Sequence, residues 1–326
     1  MTHLRWPRHI VIVLPAQAHI LDIAGPAQVF SSANDVVNDS GGSLPYRLHY
    51  YADTELSPTY QGITVQGSHL WPTLRPQDLV IVPGWKVAQD VALRRQVRPG
   101  TPPPDRIPTE GGFSAQQLAH IRKHWESGGH VASICAGSLA LAEIGILRGQ
   151  TVTTHHGLLP YLAAYPKVSV AADVLFTCAP RLHTSAGIAS GIDLSLHLVA
   201  HDLGPAVAAK VARTLVVPAW RPGNATQHSV MLMHRDHMDD LAHRAQDILD
   251  DVEHDPGTLG QIAQRLGVSS RTLSRHFVAA TGMTPNAYLS AIRAERATQL
   301  HDAGWSWDEA ARAVGYANAR SLRSRS

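Results

Sequence analysis

The chain has 326 residues, 44 % of them hydrophobic and 17 % charged, which supplies ordinary cores and excludes disorder along the whole length. Its longest apolar runs, 10–14 and 79–82, have strand length, far below the ~18 residues of a membrane-spanning helix. The net charge of +2 is unevenly spread: residues 258–326 carry nine arginines and four acids, a net +5, which leaves −3 on residues 1–257.

At roughly 100–200 residues per domain the length predicts two domains. Two cysteines, Cys135 and Cys178, make no disulfide framework, and no basic stretch with a long apolar run opens the chain. A reducing cytoplasm, no signal peptide and no membrane partner are therefore expected. A basic tail on a near-neutral body is the electrostatic footprint expected of nucleic-acid contact, although a solvated arginine-rich helix has the same composition.

Residues 9–217 alternate short β-branched runs with helical patterns. Strands are expected at 10–14, 46–51, 78–82, 130–134, 168–170 and 182–185, and helices at 26–37, 114–127, 138–146, 158–164 and 192–202. Such alternation predicts an α/β fold, a flavodoxin-like parallel sheet sandwiched by helices. Residues 99–112, rich in proline and glycine, are expected to be a loop. A linker is expected at 218–234, followed by an amphipathic helix over 236–253 and then by helices and turns alone. The expected division is an α/β domain over 8–217, the linker 218–234, and an all-α domain over 235–326.

The sharpest local signal lies in the basic tail. Thr258 is placed to cap a helix ending at Leu266, Gly267 breaks it, and Ser269 caps a second helix over 270–281. Ala263 must be small where the helices cross, and Gly267 must take a positive φ. Leu273 and Phe277 share the inner face, which leaves Ser270, Arg271, Ser274 and Arg275 opposite, with His276 at the margin, a surface suited to a major groove. Ala311 and Gly315 repeat Ala263 and Gly267 after 48 residues, and Leu322 stands where Leu273 stood, with one extra residue in the turn. Asn318, Arg320 and Arg323 then occupy the outward positions of the second unit. A helix over 285–300 joins the two. A plain helical hairpin explains one such match; the duplication, with arginine outward both times, favours DNA.

The second constellation is Ser133-Ile134-Cys135-Ala136-Gly137-Ser138. A buried strand runs into a sharp turn at Cys135 and a helix begins at once, so the helix N-terminus is expected to favour a thiolate there. The carboxyl ends of parallel strands are also where open α/β sheets place ligands. The plain alternative is a buried structural cysteine, which is the expectation for Cys178. Asp22, flanked by apolar residues in AHILDIAGPAQVF, either projects into the same pocket from the first loop or is an N-terminal acid of the helix at Pro26. The pairs His155-His156 and His234-x2-His237 lack supporting ligands, so no metal and no cofactor are expected.

Residues 236–326, through SSRTLSRHF, GMTPNAYL, IRAERATQL and AARAVGY, resemble the AraC-family DNA-binding domain. That resemblance implies two helix-turn-helix units on promoter DNA, with Ser270, Arg271, Ser274 and Arg275 on the first recognition helix. Family members usually continue past the second recognition helix, so this one is expected to be cut short and less firmly pinned. Residues 8–217, through LDIAGPAQVF, SICAGSLALAEIGILRGQTVTTHHGLLPYL and LHTSAGIASGIDLSLHLV, resemble the PfpI-type, class I glutamine-amidotransferase-like domain. The combination resembles the GlxA-like regulators. It implies a pocket pair of Asp22 and Cys135, with Ala136, Gly137, His155 and Ser185 nearby, and a small polar, nitrogen-containing effector. PfpI-type proteases carry histidine directly after the cysteine; Ala136 stands here, which removes a Cys–His dyad. A sensor is therefore expected rather than an enzyme, with double-stranded promoter DNA, an effector and a second copy of the chain as partners. The alternative is an isocyanide-hydratase- or amidase-like enzyme using Cys135 and Asp22.

Overall fold

The computed structural model describes residues 7–87, 112–217, 221–225, 227, 230–235, 237–251, 256–302 and 304–323. Most of the loop expected over 99–112 lies outside the described residues. The chain divides into two compact units, Met1–Gln227 and His228–Ser326.

Among the described residues the first unit has ten strands: β1 (Arg8–Val13), β2 (Tyr46–Tyr51), β3 (Leu56–Pro58), β4 (Thr64–Gln66), β5 (Leu79–Val82), β6 (His130–Ile134), β7 (Thr151–Val152), β8 (Ser169–Val170), β9 (Phe176–Cys178) and β10 (Leu182–Ser185). Its helices are α1 (Ile20–Asn38), α2 (Ala115–Glu126), α3 (Gly137–Glu143), α4 (Leu159–Ala163), α5 (Ala189–Leu203) and α6 (Pro205–Thr214). Six strands form the main sheet in the order β2-β1-β5-β6-β10-β9. Five of them run parallel, and β9 pairs antiparallel with β10 at one edge. Continuous β-branched runs suit strands covered on both faces. Ile10, Ile12, Leu79, Ile81 and Ile134 pack towards α1 and α5, while Val11, Val13, Val80, Val82 and Val131 pack towards α2 and α3. The helix expected from Pro26 begins six residues earlier and carries Pro26 inside it. A helix tolerates this by forgoing one i→i+4 bond.

The linker expected over 218–234 is shared between the units. Arg221 forms an ion pair with Asp193 of α5 at 2.7 Å, and Gly223 accepts the Leu175 and Phe176 N–H groups, so this stretch belongs to the first unit. Residues 230–233 are already helical in the second, as α7 (Val230–Met233).

The second unit continues with α8 (Asp240–Asp250), α9 (Leu259–Arg265), α10 (Ser270–Thr281), α11 (Pro285–Asp302), α12 (Trp307–Ala313) and α13 (Ala319–Arg323). Capping boxes start both α9, at Thr258 with Gln261, and α12, at Ser306 with Glu309. Gly267 and Gly315 take φ of 72° and 84° directly after these helices, the left-handed turn that each unit needs. Ile262, Ala263, Leu273, Phe277, Tyr288 and Ile292 form the first core with Ala242, Ala245 and Leu249 of α8. Ala297, Ala310, Ala311, Val314 and Leu322 form the second.

Among the described residues, no helix is long and apolar enough to cross a membrane.

Candidate functional site

Four strand ends of the first unit converge. Asp22 follows β1, Gly84 follows β5, Cys135 follows β6, and the stretch from Ser185 to Ile188 follows β10. This is the carboxyl edge of the parallel strands, where the loops of such sheets gather.

Asp22 is completely buried. It lies on the first turn of α1 rather than on the preceding loop, which corrects one of the two expectations for it and joins them: it is a helix N-terminal acid that also faces the site. Its Oδ2 accepts the Gly84 N–H at 3.0 Å, and its Oδ1 accepts the Ile188 N–H at 3.0 Å. Burial pushes the carboxyl up to about 6, and these two N–H bonds hold it below where burial alone would put it.

Cys135 is 6 % exposed, with φ of 54°, the sharp turn between β6 and α3 that the sequence predicted. Its N–H donates to the Ser185 carbonyl at 3.1 Å, and its own carbonyl accepts Thr154 Oγ1 at 2.8 Å and Ser138 Oγ at 3.2 Å. The site is tight. A Cβ on Gly84 would lie 2.6 Å from Asp22 Oδ2 and 2.9 Å from Cys135 Cβ, so both side chains crowd the same glycine. A Cβ on Gly187 would lie 2.8 Å from Cys135 Sγ, and its φ of 113° independently favours glycine.

The surroundings of Cys135 oppose the thiolate expected from the helix N-terminus. Burial first, and the charge of Asp22 second, drive the Cys135 thiol well above its ordinary range; the Ala136 N–H pulls the other way and loses. α3 has seven residues, and a short dipole does not outweigh desolvation plus a neighbouring carboxylate.

Ala136 and Gly137 open α3, with Gly137 pressed against the Val82 carbonyl. Ser185 is buried on β10, and among the described residues its hydroxyl has no hydrogen-bond partner. His155 turns Nδ1 back onto the Gly157 N–H at 3.2 Å and lies against the His156 ring, and the neighbouring Thr154 bonds the Cys135 carbonyl. Cys178, expected to be buried, is exposed on the edge strand β9. Gly84, Thr154 and Ile188 were not foreseen. The first stands directly after the buried run 79–82, which is a readable signal; nothing local marks the other two. Among the described residues no three metal-binding side chains cluster.

This geometry predicts the effect of Asp22→Asn. One of the two N–H donors then faces an amide NH2, which costs about 1–3 kcal/mol, and the charge that raises the thiol is gone. The midpoint of the pH profile for Cys135 alkylation by iodoacetamide, read in a Cys178→Ser background, is expected to move down. An unmoved midpoint would show that the thiol does not feel Asp22.

In the second unit, Ser270, Arg271 and Arg275 are exposed on α10 and Ser274 is half-buried, while Leu273 and Phe277 on the opposite face are fully buried. His276 is not free for a groove: its Nδ1 lies 2.8 Å from Asp239 Oδ2, the residue that caps α8. Asn318 and Arg320 are exposed. Asn318 Oδ1 accepts the Ser321 N–H at 3.0 Å, so its carbonyl end serves as a cap for α13. The Arg323 side chain lies outside the described residues.

Residues 262–325 match a family model described as a helix-turn-helix domain, and residues 103–201 match the DJ-1/PfpI family. The HTH-type transcriptional regulator CdhR of Pseudomonas aeruginosa is 30 % identical over 191 residues, which is 55 % of this chain and 54 % of that protein. An isonitrile hydratase of Pseudomonas putida is 40 % identical over 93 residues, 27 % of this chain and 38 % of that enzyme. The chain spans about half the length of the curated regulators it matches. A solved THiJ/PfpI family protein from Pseudomonas syringae superposes with a TM-score of 0.50 at 19 % identity, covering 69 % of this chain and 81 % of that one, which bears on the fold alone. The chain therefore joins a stretch that matches the DJ-1/PfpI family to a later stretch that matches a helix-turn-helix domain.

Proposed function

We propose that this chain is a transcription regulator that binds promoter DNA sequence-specifically through its second unit and responds to a small molecule held at the Asp22–Cys135 site. The observation that carries the reading is α10: a capped helix with two buried apolar anchors and with Arg271 and Arg275 exposed opposite them. Arginine in that position suits bidentate contact with guanine edges or phosphates. The matched regulators support it. Asn318 and Arg320 of the second helix-turn-helix unit are the corresponding contacts there.

A gel-shift titration against a duplex from the chain's own upstream region tests the reading. Arg271→Ala and Arg275→Ala are each expected to weaken binding by roughly 1–3 kcal/mol, about five- to a hundredfold, while leaving the melting curve unchanged. Affinity is also expected to fall steeply with salt as counterions are released. Wild-type affinity retained in both variants would remove α10 from the interface and the reading with it.

The buried thiol beside a carboxylate, together with the isonitrile hydratase match, supports a second reading as an enzyme. Against it stand the protonated thiol and Ala136 in place of a base. Consumption of an isonitrile by the purified chain, lost in Cys135→Ala, would favour the enzyme.

A further inference from the structure

We propose that residues 221–225 together with Gln227 form a strap that couples the Asp22–Cys135 site to the second unit, with the Gln227 amide as its latch. The inference rests on the reading of the first unit as an effector domain. Gln227 is the last residue of that unit, and the chain continues from it into the second.

The strap is fastened to the two loops that build the site. One fastening is Gln227 itself. Its side-chain nitrogen lies 3.0 Å from Thr153 Oγ1 and 3.1 Å from the Thr154 carbonyl, and Thr154 Oγ1 in turn donates to the Cys135 carbonyl at 2.8 Å. The other runs through β9. The Gly223 and Ala225 carbonyls accept the Leu175 N–H, each at 2.9 Å, and the Leu175 carbonyl accepts the Ala186 N–H at 2.7 Å. Ala186 leads directly into Gly187, packed on Cys135 Sγ, and Ile188, which clasps Asp22. Arg221 anchors the start of the strap on Asp193.

The latch is overcommitted, so its two N–H bonds can be redistributed among more acceptors than it can serve at once. Besides Thr153 and Thr154, the Gln227 nitrogen faces the Ala172 carbonyl at 3.4 Å and the Val174 carbonyl at 2.9 Å. Four oxygens surround a group with two protons, so any two bonds leave the other acceptors short. The ring of oxygens also fixes the amide orientation, since a carbonyl turned into it would be repelled. A shift of the 153–154 loop by a ligand, or of the 172–175 stretch through β9, therefore redistributes the two protons. That redistribution is the element through which the sites are coupled.

Coupling is reciprocal, so no effector is needed to detect it: bound DNA shifts the population of site conformations, and the alkylation rate of Cys135 reports that shift. The test uses the full chain carrying Cys178→Ser, iodoacetamide as the probe of Cys135, and a saturating duplex from the chain's own upstream region. The duplex is expected to change the alkylation rate about fivefold. Gln227→Leu, which keeps the side chain's bulk but donates no hydrogen bond, is expected to abolish that change while still binding the duplex. Thr154→Val, which cuts the link to the Cys135 carbonyl, is expected to do the same and serves where Gln227→Leu fails to fold. A bound duplex with an unchanged alkylation rate overturns the strap, as does a full response in both variants. If the duplex does not bind at all, the regulator reading fails separately. The strap is then tested without DNA by the alkylation rate of Gln227→Leu: a faster rate supports its hold on the site, and an unchanged rate overturns it.

Discussion

Phe277→Ala is expected to melt the helical unit while leaving the α/β unit folded. Phe277 is fully buried, meets Tyr288 edge-on at 5.3 Å between ring centroids, and packs beside Leu273. Tyr288 is itself tied to α8 through a 2.9 Å hydrogen bond to Asp250, so one ring holds three helices in register. Truncating a buried phenylalanine costs about 3–5 kcal/mol, out of the roughly 5–15 kcal/mol that a domain of this size has. Two thermal transitions, assigned by proteolysis at intermediate temperatures, are the measurement. The transition of residues 228–326 should fall sharply or vanish, with the other unmoved. A single unshifted pair of transitions would mean that the core around Phe277 does not carry that unit. The contrast with Arg271→Ala, which should spare the melting curve, separates recognition from folding.

Acidification is expected to destabilise the α/β unit through His183. This residue is 8 % exposed on β10, and among the described residues its Nδ1 has no hydrogen-bond partner. Burial first, and the nearby charges of His130, Arg8, His197 and His201 after it, bring it down to about 3; His130, also largely by burial, falls to about 4. Between pH 6.5 and 3 the unfolded chain takes up a proton that the folded His183 refuses, so its contribution to stability is complete above pH 6.5 and is lost as pH falls. At pH 5 the loss through His183 alone is about 2 kcal/mol relative to neutral pH. Asp22 acts in the opposite sense. Its carboxyl, raised to about 6, binds a proton more readily in the folded state, so it adds stability as pH falls from 6 towards 4. His183→Leu is expected to shrink the loss between pH 7 and pH 5 in urea titrations of the α/β unit. A variant that loses as much as the wild type would show that His183 is accessible to protons in the folded state.

The parts of this molecule that were legible in the sequence are those in which a local rule and the tertiary context agree. The bounds of β2, β6, β10 and α10 coincide with the runs expected to form them, because each is a buried run or an amphipathic stretch closed by a cap or turn residue. The repeat of 48 residues was visible in Ala263/Ala311 and Gly267/Gly315, and it extends to the capping boxes, since Ser306 and Glu309 repeat Thr258 and Gln261. That last match was present as a Ser-x-x-Glu signal before an apolar run and went unused. α6 and the hairpin β3–β4 were missed: the first has few large apolar residues, and the second has strands of three.

The site was half legible. Cys135 at a strand–helix turn and Asp22 among apolar neighbours stand out as residues, and their meeting at Gly84 follows from the strand order. The protonation state did not follow. The sequence shows the helix that would favour a thiolate, but not the enclosure by Gly84, Gly187 and Asp22 that overrides it. Burial is a property of several chain segments at once, and no window of sequence contains it.

Ile188 holds φ of 44°, a conformation that a β-branched residue adopts at a cost on the order of 1–3 kcal/mol. From that pose its amide donates to Asp22 Oδ1. The clasp is thus a sprung catch: relaxation of one peptide towards ordinary geometry would let go of the carboxylate, and a visiting molecule that offers Asp22 a better donor would be helped by the tension it releases.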